Sequence, residues 1–305
     1  MGQDIGFVGL GAMGLPMARN LVQRGFRVRV FNRSEGKSRE LVKLGAIAAD
    51  VPADVVSADG IVITMVSHDQ ALRAVTLGPD GICGRLGHGG LHLSMSTVSP
   101  AVVRLLAEQH RRRGAALVSA PVSGRPEAAE AAALTVWLAG AAQHKARASE
   151  VLGAMSSSVH DMGEDPCAAN VAKLAANLMA LSSVEMLAEA LELAERGGVD
   201  RKALAAALTE QLFTGPVLSG YAARVAARAD APGGFKVALA LKDIDLVLRA
   251  AAAGDAALPF AQALRQRLKW AYIKGLGEHD VSTLAADLHP AVAVHEAALP
   301  HAAGV

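Results

Sequence analysis

The chain has 305 residues, a formal net charge of +1 and only 3% aromatic residues. The near-neutral charge gives no electrostatic drive toward nucleic acid or an anionic membrane surface, and so few aromatics argue against a base-stacking platform. The length accommodates two domains with sizeable cores, and much of the 52% hydrophobic content is alanine, which favours helix. Cys83 and Cys167 have no metal-ligand spacing, so no metal site is expected; they suit packing roles in a reducing compartment. No basic-then-apolar leader and no uninterrupted apolar run of bilayer length is read, and the expectation is a cytoplasmic protein without a membrane partner.

The first predicted strand, Asp4 to Val8, runs into Gly9-Leu10-Gly11-Ala12-Met13-Gly14, a G-x-G-x-x-G turn, and then into an apolar-periodic helix reaching about Arg24. Gly9 permits the tight turn, Gly11 lets the backbone approach a pyrophosphate, and Gly14 lets the helix pack close to the strand. The helix N-terminus offers N–H groups and a positive dipole end to the phosphates. A second strand, Arg27 to Phe31, arrives on schedule and ends at Asn32-Arg33-Ser34. A site for NAD usually carries Asp or Glu here to hold the ribose 2′-hydroxyl. Arg33 can pair with a 2′-phosphate, so NADP(H) is the expected cofactor with NAD(H) the weaker alternative; the competing reading of Arg33 is a solvated charge.

Further strands are predicted at Gly60 to Met65, Leu91 to Met95, Ala115 to Ser119, Leu134 to Ala139 and Ser157 to Asp161, with helical stretches between most of them. The alternation predicts an α/β Rossmann fold, a doubly wound parallel sheet. Ligands of such sheets bind at strand carboxyl ends, so Met65-Val66-Ser67 and Ser96-Thr97 are candidate cofactor loops. The pattern changes after Met162-Gly163. Pro166 to Arg196 has no interior glycine or proline and predicts one helix of about 45 Å, long enough to bridge domains or subunits. Helices follow at Arg201 to Leu208, Pro216 to Ala227, Val237 to Ala253 and Ala257 to Lys274, and the tail from His301 to Val305 is expected to fray. The division is therefore 1–162, a dinucleotide domain, and 163–305, an all-α domain for substrate and dimerisation.

On the long helix Lys173 and Asn177 are four residues apart, share a face, and lie in an otherwise apolar stretch. Spacing alone leaves two readings, a stem that snorkels to water or an ammonium lining a cavity. Pro121 to Gly124 alone reads as a turn, and Lys242 with Asp243 as a solvated charge pair.

Four segments together resemble the β-hydroxyacid dehydrogenase family: GLGAMGLPMARNL from Gly9, SAPVSG from Ser119 with Leu134-Thr135 after it, KLAAN from Lys173, and LKDIDL from Leu241. The resemblance covers nearly the whole chain. It implies that Lys173 is the general acid/base, protonating a carbonyl oxygen in reduction and taking a hydroxyl proton in oxidation. Burial and the charge of the oxidised nicotinamide are expected to lower its pKa by about 2–3 from the free value. It implies that Asn177 orients the substrate oxygen, that the Ser123-Gly124 turn holds the substrate carboxylate, that Lys242 sits at the nicotinamide end with Asp243 fixing it, and that Asp245 supports them. A homodimer or homotetramer is implied, with the long helix crossing between subunits.

The chain departs from that pattern in places. Gly124 is followed by Arg125-Pro126-Glu127 where relatives carry a second glycine; Arg125 pairs with a carboxylate, widening the choice of acid, or faces solvent. Ala132 or Ala133 replaces the usual glycine before Leu134, and the stretch before Lys173 lacks its common glycines. The expected reaction is NADP(H)-dependent interconversion of a small 3-hydroxy or 2-hydroxy acid and its semialdehyde or oxo acid. The alternatives are an imine reductase on the same scaffold, which usually has Asp or Tyr where Lys173 stands, and a non-catalytic NADP-binding interaction protein.

Overall fold

A computed structural model of the chain describes residues 4–212 and 215–286. The N-terminal half runs β1 (Asp4–Val8), α1 (Gly14–Gln23), β2 (Arg27–Phe31), α2 (Ser38–Lys43), β3 (Ile47–Ala48), β4 (Ile61–Thr64), α3 (Asp69–Leu77), α4 (Cys83–Leu86), β5 (Leu91–Ser94), α5 (Pro100–Arg111) and β6 (Ala116–Ser119). It continues with β7 (Val122–Ser123), α6 (Pro126–Glu130), β8 (Leu134–Leu138), α7 (Ala142–Gly153) and β9 (Ser156–Asp161). The helical half is α8 (Pro166–Arg196), α9 (Arg201–Gln211), α10 (Pro216–Ala226), α11 (Val237–Ala253) and α12 (Pro259–Ile273), followed by short 3₁₀ turns.

The main sheet is parallel, in the order β3-β2-β1-β4-β5-β6, so the chain winds outward in both directions from β1. Its central strands are buried on both faces, which explains the unbroken apolar run of Ile61, Val62 and Ile63. The topological switch between β1 and β4 opens a crevice at the strand carboxyl ends. Buried Thr64, His92 and His110 form a hydrogen-bonded chain behind this sheet, and burial holds both rings below their usual range, His110 at about 4.

Of the predicted strands, the last two do not extend this sheet. β8 and β9, with the unpredicted β7, form a separate three-stranded sheet in which β7 runs antiparallel to β8. An isolated bridge from Ser119 to Ala139 ties it to β6. Two-residue strands such as β3 and β7 have no periodicity to read, so the sequence does not announce them. Element ends differ from expectation by one to three residues: α9 runs on to Gln211, and α12 occupies Pro259–Ile273.

α8 has its predicted bounds and 31 residues. Asp165 accepts the Cys167 N–H as its N-cap, Pro166 occupies the first turn, and Gly197 follows its end. By length and mean composition α8 is apolar enough to cross a bilayer, although Lys173, Asn177 and Glu185 interrupt its apolar run. It is a core helix instead: it packs on α5 and β8 of the first half and on α9, α10, α11 and α12 of the second. Its buried Leu181, Val184, Leu187 and Leu191 centre the helical core. The tail from His301 lies outside the described residues.

Candidate active site

The glycine turn follows from packing on both of its sides. Gly9 has φ +102°, and a Cβ there would collide with the Met65 carbonyl; one on Gly14 would collide with the Gly9 carbonyl. A Cβ on Gly11 would meet nothing within 4 Å, so this stretch of backbone is open to a ligand. α1 begins there without a side-chain cap and without an acidic residue in its first turn. An open backbone, an uncapped helix start and a first turn without a carboxylate fit a dinucleotide's pyrophosphate.

Asn32 follows β2 and braces the glycine turn. Its Oδ1 accepts the Leu10 N–H at 2.9 Å and its Nδ2 donates to the Ser34 carbonyl at 2.9 Å, so it staples the glycine turn to the end of β2. Arg33 and Ser34 are exposed beyond that strand. Met65, Val66 and Ser67 follow β4; the Val66 N–H donates to Ser96 Oγ at 2.8 Å. Lys242, on α11, donates to the carbonyls of Ser67 at 3.1 Å and Thr97 at 2.9 Å, and pairs with Asp243 at 2.8 Å. One lysine thus joins both candidate cofactor loops to the helical half.

α8 places Lys173 and Asn177 on its buried face, each 7% exposed. Lys173 Nζ donates to Ser123 Oγ at 3.0 Å, and Asn177 Nδ2 donates to Asp243 Oδ2 at 2.6 Å. Burial pulls the Lys173 ammonium from 10.5 down to about 8; Asp243 acts against that fall and Lys242 adds to it. Gly124, with φ +142°, turns the chain after β7 and packs on Leu134 and Ala128. Ser123, Lys173, Asn177, Asp243 and Lys242 therefore form one connected cluster between the two halves.

Two expectations are corrected. Asp245 does not support the cluster: its carboxylate pairs with Arg265 of α12 at 2.5 Å, because at i+2 from Asp243 it projects from a different side of α11. Arg125 was expected to pair with a substrate carboxylate or to face solvent; it is partly exposed and pairs inside the protein. Its guanidinium donates to Asp280 at 3.0 Å and lies over the Tyr221 ring. Asp280 is fully buried and also accepts the N–H groups of Phe235 and Ser282. The loop after β7 is thereby anchored to the helical half.

Sequence reading missed Asp280, Tyr221 and Trp137, whose indole N–H donates to Ser123 Oγ at 3.0 Å. Asp280 and Tyr221 lie far along the chain from Arg125 and carry no local signal. Trp137 has one: Thr135 and Trp137 occupy the half-buried alternation of β8 while Leu134, Val136 and Leu138 fill the core.

Comparison with known proteins agrees with this geometry. The NAD binding domain of 6-phosphogluconate dehydrogenase matches residues 4–163, and the NAD-binding domain of NADP-dependent 3-hydroxyisobutyrate dehydrogenase matches residues 167–288. An uncharacterized oxidoreductase of Bacillus subtilis, YfjR, is 38% identical over 280 residues, covering 92% of this chain and 98% of its own. The 3-hydroxyisobutyrate dehydrogenase of Pseudomonas aeruginosa is 34% identical, covering 91% of this chain and 94% of its own. The structure of Mycobacterium tuberculosis 3-hydroxyisobutyrate dehydrogenase with L-serine superposes with a TM-score of 0.83 at 28% identity, over 95% of this chain and 100% of that one.

Proposed function

The chain belongs to the β-hydroxyacid dehydrogenase family of NAD(P)-dependent oxidoreductases, and from that premise we propose that it interconverts a small 3-hydroxy acid, or 2-hydroxy acid, and its semialdehyde or oxo acid, with NADP(H) preferred over NAD(H). The observation that carries this reading is Lys173: a buried lysine with a pKa of about 8, hydrogen-bonded to the Ser123 hydroxyl beside the loops that Lys242 joins. A group poised near neutrality can give and take a proton at working pH, as an alcohol–carbonyl interconversion requires.

The bound nicotinamide supplies hydride transfer at its C4 position. Gly9 to Gly14 would hold the pyrophosphate, Asn32 to Ser34 the adenosine ribose end, and Met65 to Ser67, Thr97 and Lys242 the nicotinamide half. Lys173 donates its proton to the substrate carbonyl oxygen in reduction and accepts the hydroxyl proton in oxidation. Asn177 orients that oxygen, with Asp243 fixing both the Asn177 amide and Lys242. Ser123 and the Gly124 backbone hold the carboxylate. Arg125, committed to Asp280, holds the loop and leaves the carboxylate to Ser123. The dinucleotide half is residues 1–162 and the helical half 163–305, and the chain works as a homodimer or homotetramer through α8.

The test is NADPH oxidation over glyoxylate, succinic, methylmalonate and tartronate semialdehydes, with a cyclic imine as contrast. Turnover of a semialdehyde that Lys173→Met lowers by about 10²–10⁴ in kcat is the expected result. Turnover of the imine alone, or a Lys173→Met enzyme of wild-type rate, rejects the reading. Arg33→Ala is expected to cut the NADPH:NADH preference by about ten- to a hundredfold; an unchanged ratio removes Arg33 as the selector.

A further inference from the structure

The half-buried face of the three-stranded sheet carries Ser123, Thr135 and Trp137. β7 and β8 pair with Ser123 opposite Thr135. Trp137 is therefore the diagonal neighbour of Ser123 on the same face, a distance an indole spans. Its Nε1–H donates to Ser123 Oγ at 3.0 Å, and Lys173 Nζ donates to the same oxygen at 3.0 Å. Indole N–H and ammonium groups only donate, whereas a serine hydroxyl has two acceptor lone pairs and one proton. Both lone pairs are taken. The hydroxyl can turn in neither direction without losing one of these bonds, and its proton is left for a third partner.

We propose that Trp137 is a positioning residue that determines specificity: by occupying the second lone pair of Ser123 it fixes that hydroxyl as a hydrogen-bond donor, so that this subsite selects a carboxylate oxygen over a group that presents an N–H. The inference rests on the reading of Ser123 and Gly124 as the carboxylate subsite. It adds the reason why a serine, able in principle to accept or donate, discriminates there. Without Trp137 the hydroxyl regains an acceptor site and can receive an amide N–H, so the acid loses its advantage.

The hydrogen-bond chain is tested apart from turnover. The chain has two tryptophans, and Trp270→Phe leaves Trp137 as the single indole. The His160 ring lies 5.5 Å from Trp137, so the measurement uses a His160→Gln background to take that ring away from the indole. Lys242 and Asp243, the charged neighbours of Lys173, stay in place. The ¹⁵N-indole NMR resonance of Trp137 is expected to shift between pH 6.5 and 10 with a midpoint near 8, and to lose that step in Lys173→Met. A resonance indifferent to pH, or one whose step survives Lys173→Met, overturns the chain.

Selectivity is then read by calorimetry in the presence of NADP⁺, with 3-hydroxypropionate and 3-hydroxypropionamide as probes. Trp137→Phe is expected to reduce the acid-over-amide preference about five- to tenfold, by freeing Ser123 to accept the amide N–H and by loosening the hydroxyl that donates to the acid, as a change of one hydrogen bond implies. A role in packing alone would weaken both probes equally, and that outcome rejects the proposal while leaving the carboxylate subsite standing. A wild-type protein that binds the acid no better than the amide rejects the subsite reading and this inference with it.

Discussion

At the scale of single residues, Lys173 couples stability to chemistry. Its folded-state pKa of about 8 lies below the 10.5 of a free lysine, so between those values the unfolded chain binds more protons than the folded one. Stability from this group therefore rises as pH increases from 8 to 10.5, and below pH 8 the buried ammonium costs about 3 kcal/mol. Lys173→Met, similar in length and apolar, is expected to raise unfolding free energy at pH 7 by about 2–3 kcal/mol while lowering kcat by about 10²–10⁴. Urea unfolding of both proteins at pH 7 and pH 10 checks this, and the gap should narrow at the higher pH. The same group sets the pH profile. Reduction needs the ammonium, so its kcat/KM should fall above about pH 8; oxidation needs the free amine and should rise to a plateau there. Spacing alone left Lys173 between a stem snorkelling to water and an ammonium lining a cavity; the resemblance singled out Lys173 and Asn177, and both are buried and hydrogen-bonded. Asp245 was misread because adjacency in sequence is not adjacency on a helix, and its partner Arg265 is a matter of how α11 meets α12.

At the scale of elements, the turn between α6 and β8 shows a local rule broken. α6 closes with the Ala133 N–H on the Ala128 carbonyl at 2.8 Å and the Ala132 N–H on the Ala129 carbonyl at 3.3 Å, the two bonds of a Schellman motif. That motif puts its C′ residue in the left-handed region, where Ala132 sits at φ +53°. The sequence showed an alanine in place of glycine without saying whether Ala132 or Ala133 carries the strain; the backbone assigns it to Ala132. A left-handed alanine costs about 1–2 kcal/mol, and glycine's extra freedom in the unfolded chain returns part of that. Ala132→Gly is therefore expected to stabilise the protein by about 0.5–1 kcal/mol, read as a higher melting temperature. An equal or lower value would mean that the surroundings, not the φ angle, govern this turn. Strands β1, β2, β4, β5 and β6 and helix α8 were readable because each has several residues of consistent period or clear end signals. β3 and β7 were not, since each is held by the neighbour it pairs with and not by its own two residues.

At the scale of the whole molecule, the two halves are joined by contacts that no local pattern announces. Arg125 and Asp280 are 155 positions apart. Removing the guanidinium would leave a fully buried carboxylate with two backbone N–H groups and Arg224 at 3.4 Å. Breaking a buried pair usually costs 3–5 kcal/mol, but the partial exposure of Arg125 and the remaining partners reduce this to about 2 kcal/mol. Arg125→Ala should lose that amount, and Arg125→Ala with Asp280→Asn should lose less than the sum of the two single changes, in a double-mutant cycle of unfolding free energies.

α8 poses the converse problem. Its polar face, with Lys173 and Asn177, is buried, while Val171, Met179, Met186 and Leu193 are 51%, 67%, 46% and 76% exposed. At 100° per residue these four lie roughly opposite Lys173, and the last three recur every seven positions, forming one apolar stripe along the helix. An inside-out helix of this kind is stable in water when a second surface covers the stripe, and a helix seam repeating every seven residues suits the same helix from another copy. Subunit contact would then hold α8 on its outer side while the two halves grip its inner side, so that the position of Lys173 depends on assembly. Met186→Lys with Leu193→Lys is expected to shift the protein from dimer or tetramer to monomer in sedimentation-velocity analysis, with a lower melting temperature because the stripe loses its cover. Both lysines lie outside the cluster around Ser123, so activity lost on dissociation and recovered at higher protein concentration would tie catalysis to assembly. A wild-type chain that sediments as a monomer at micromolar concentration would instead leave the stripe without this function.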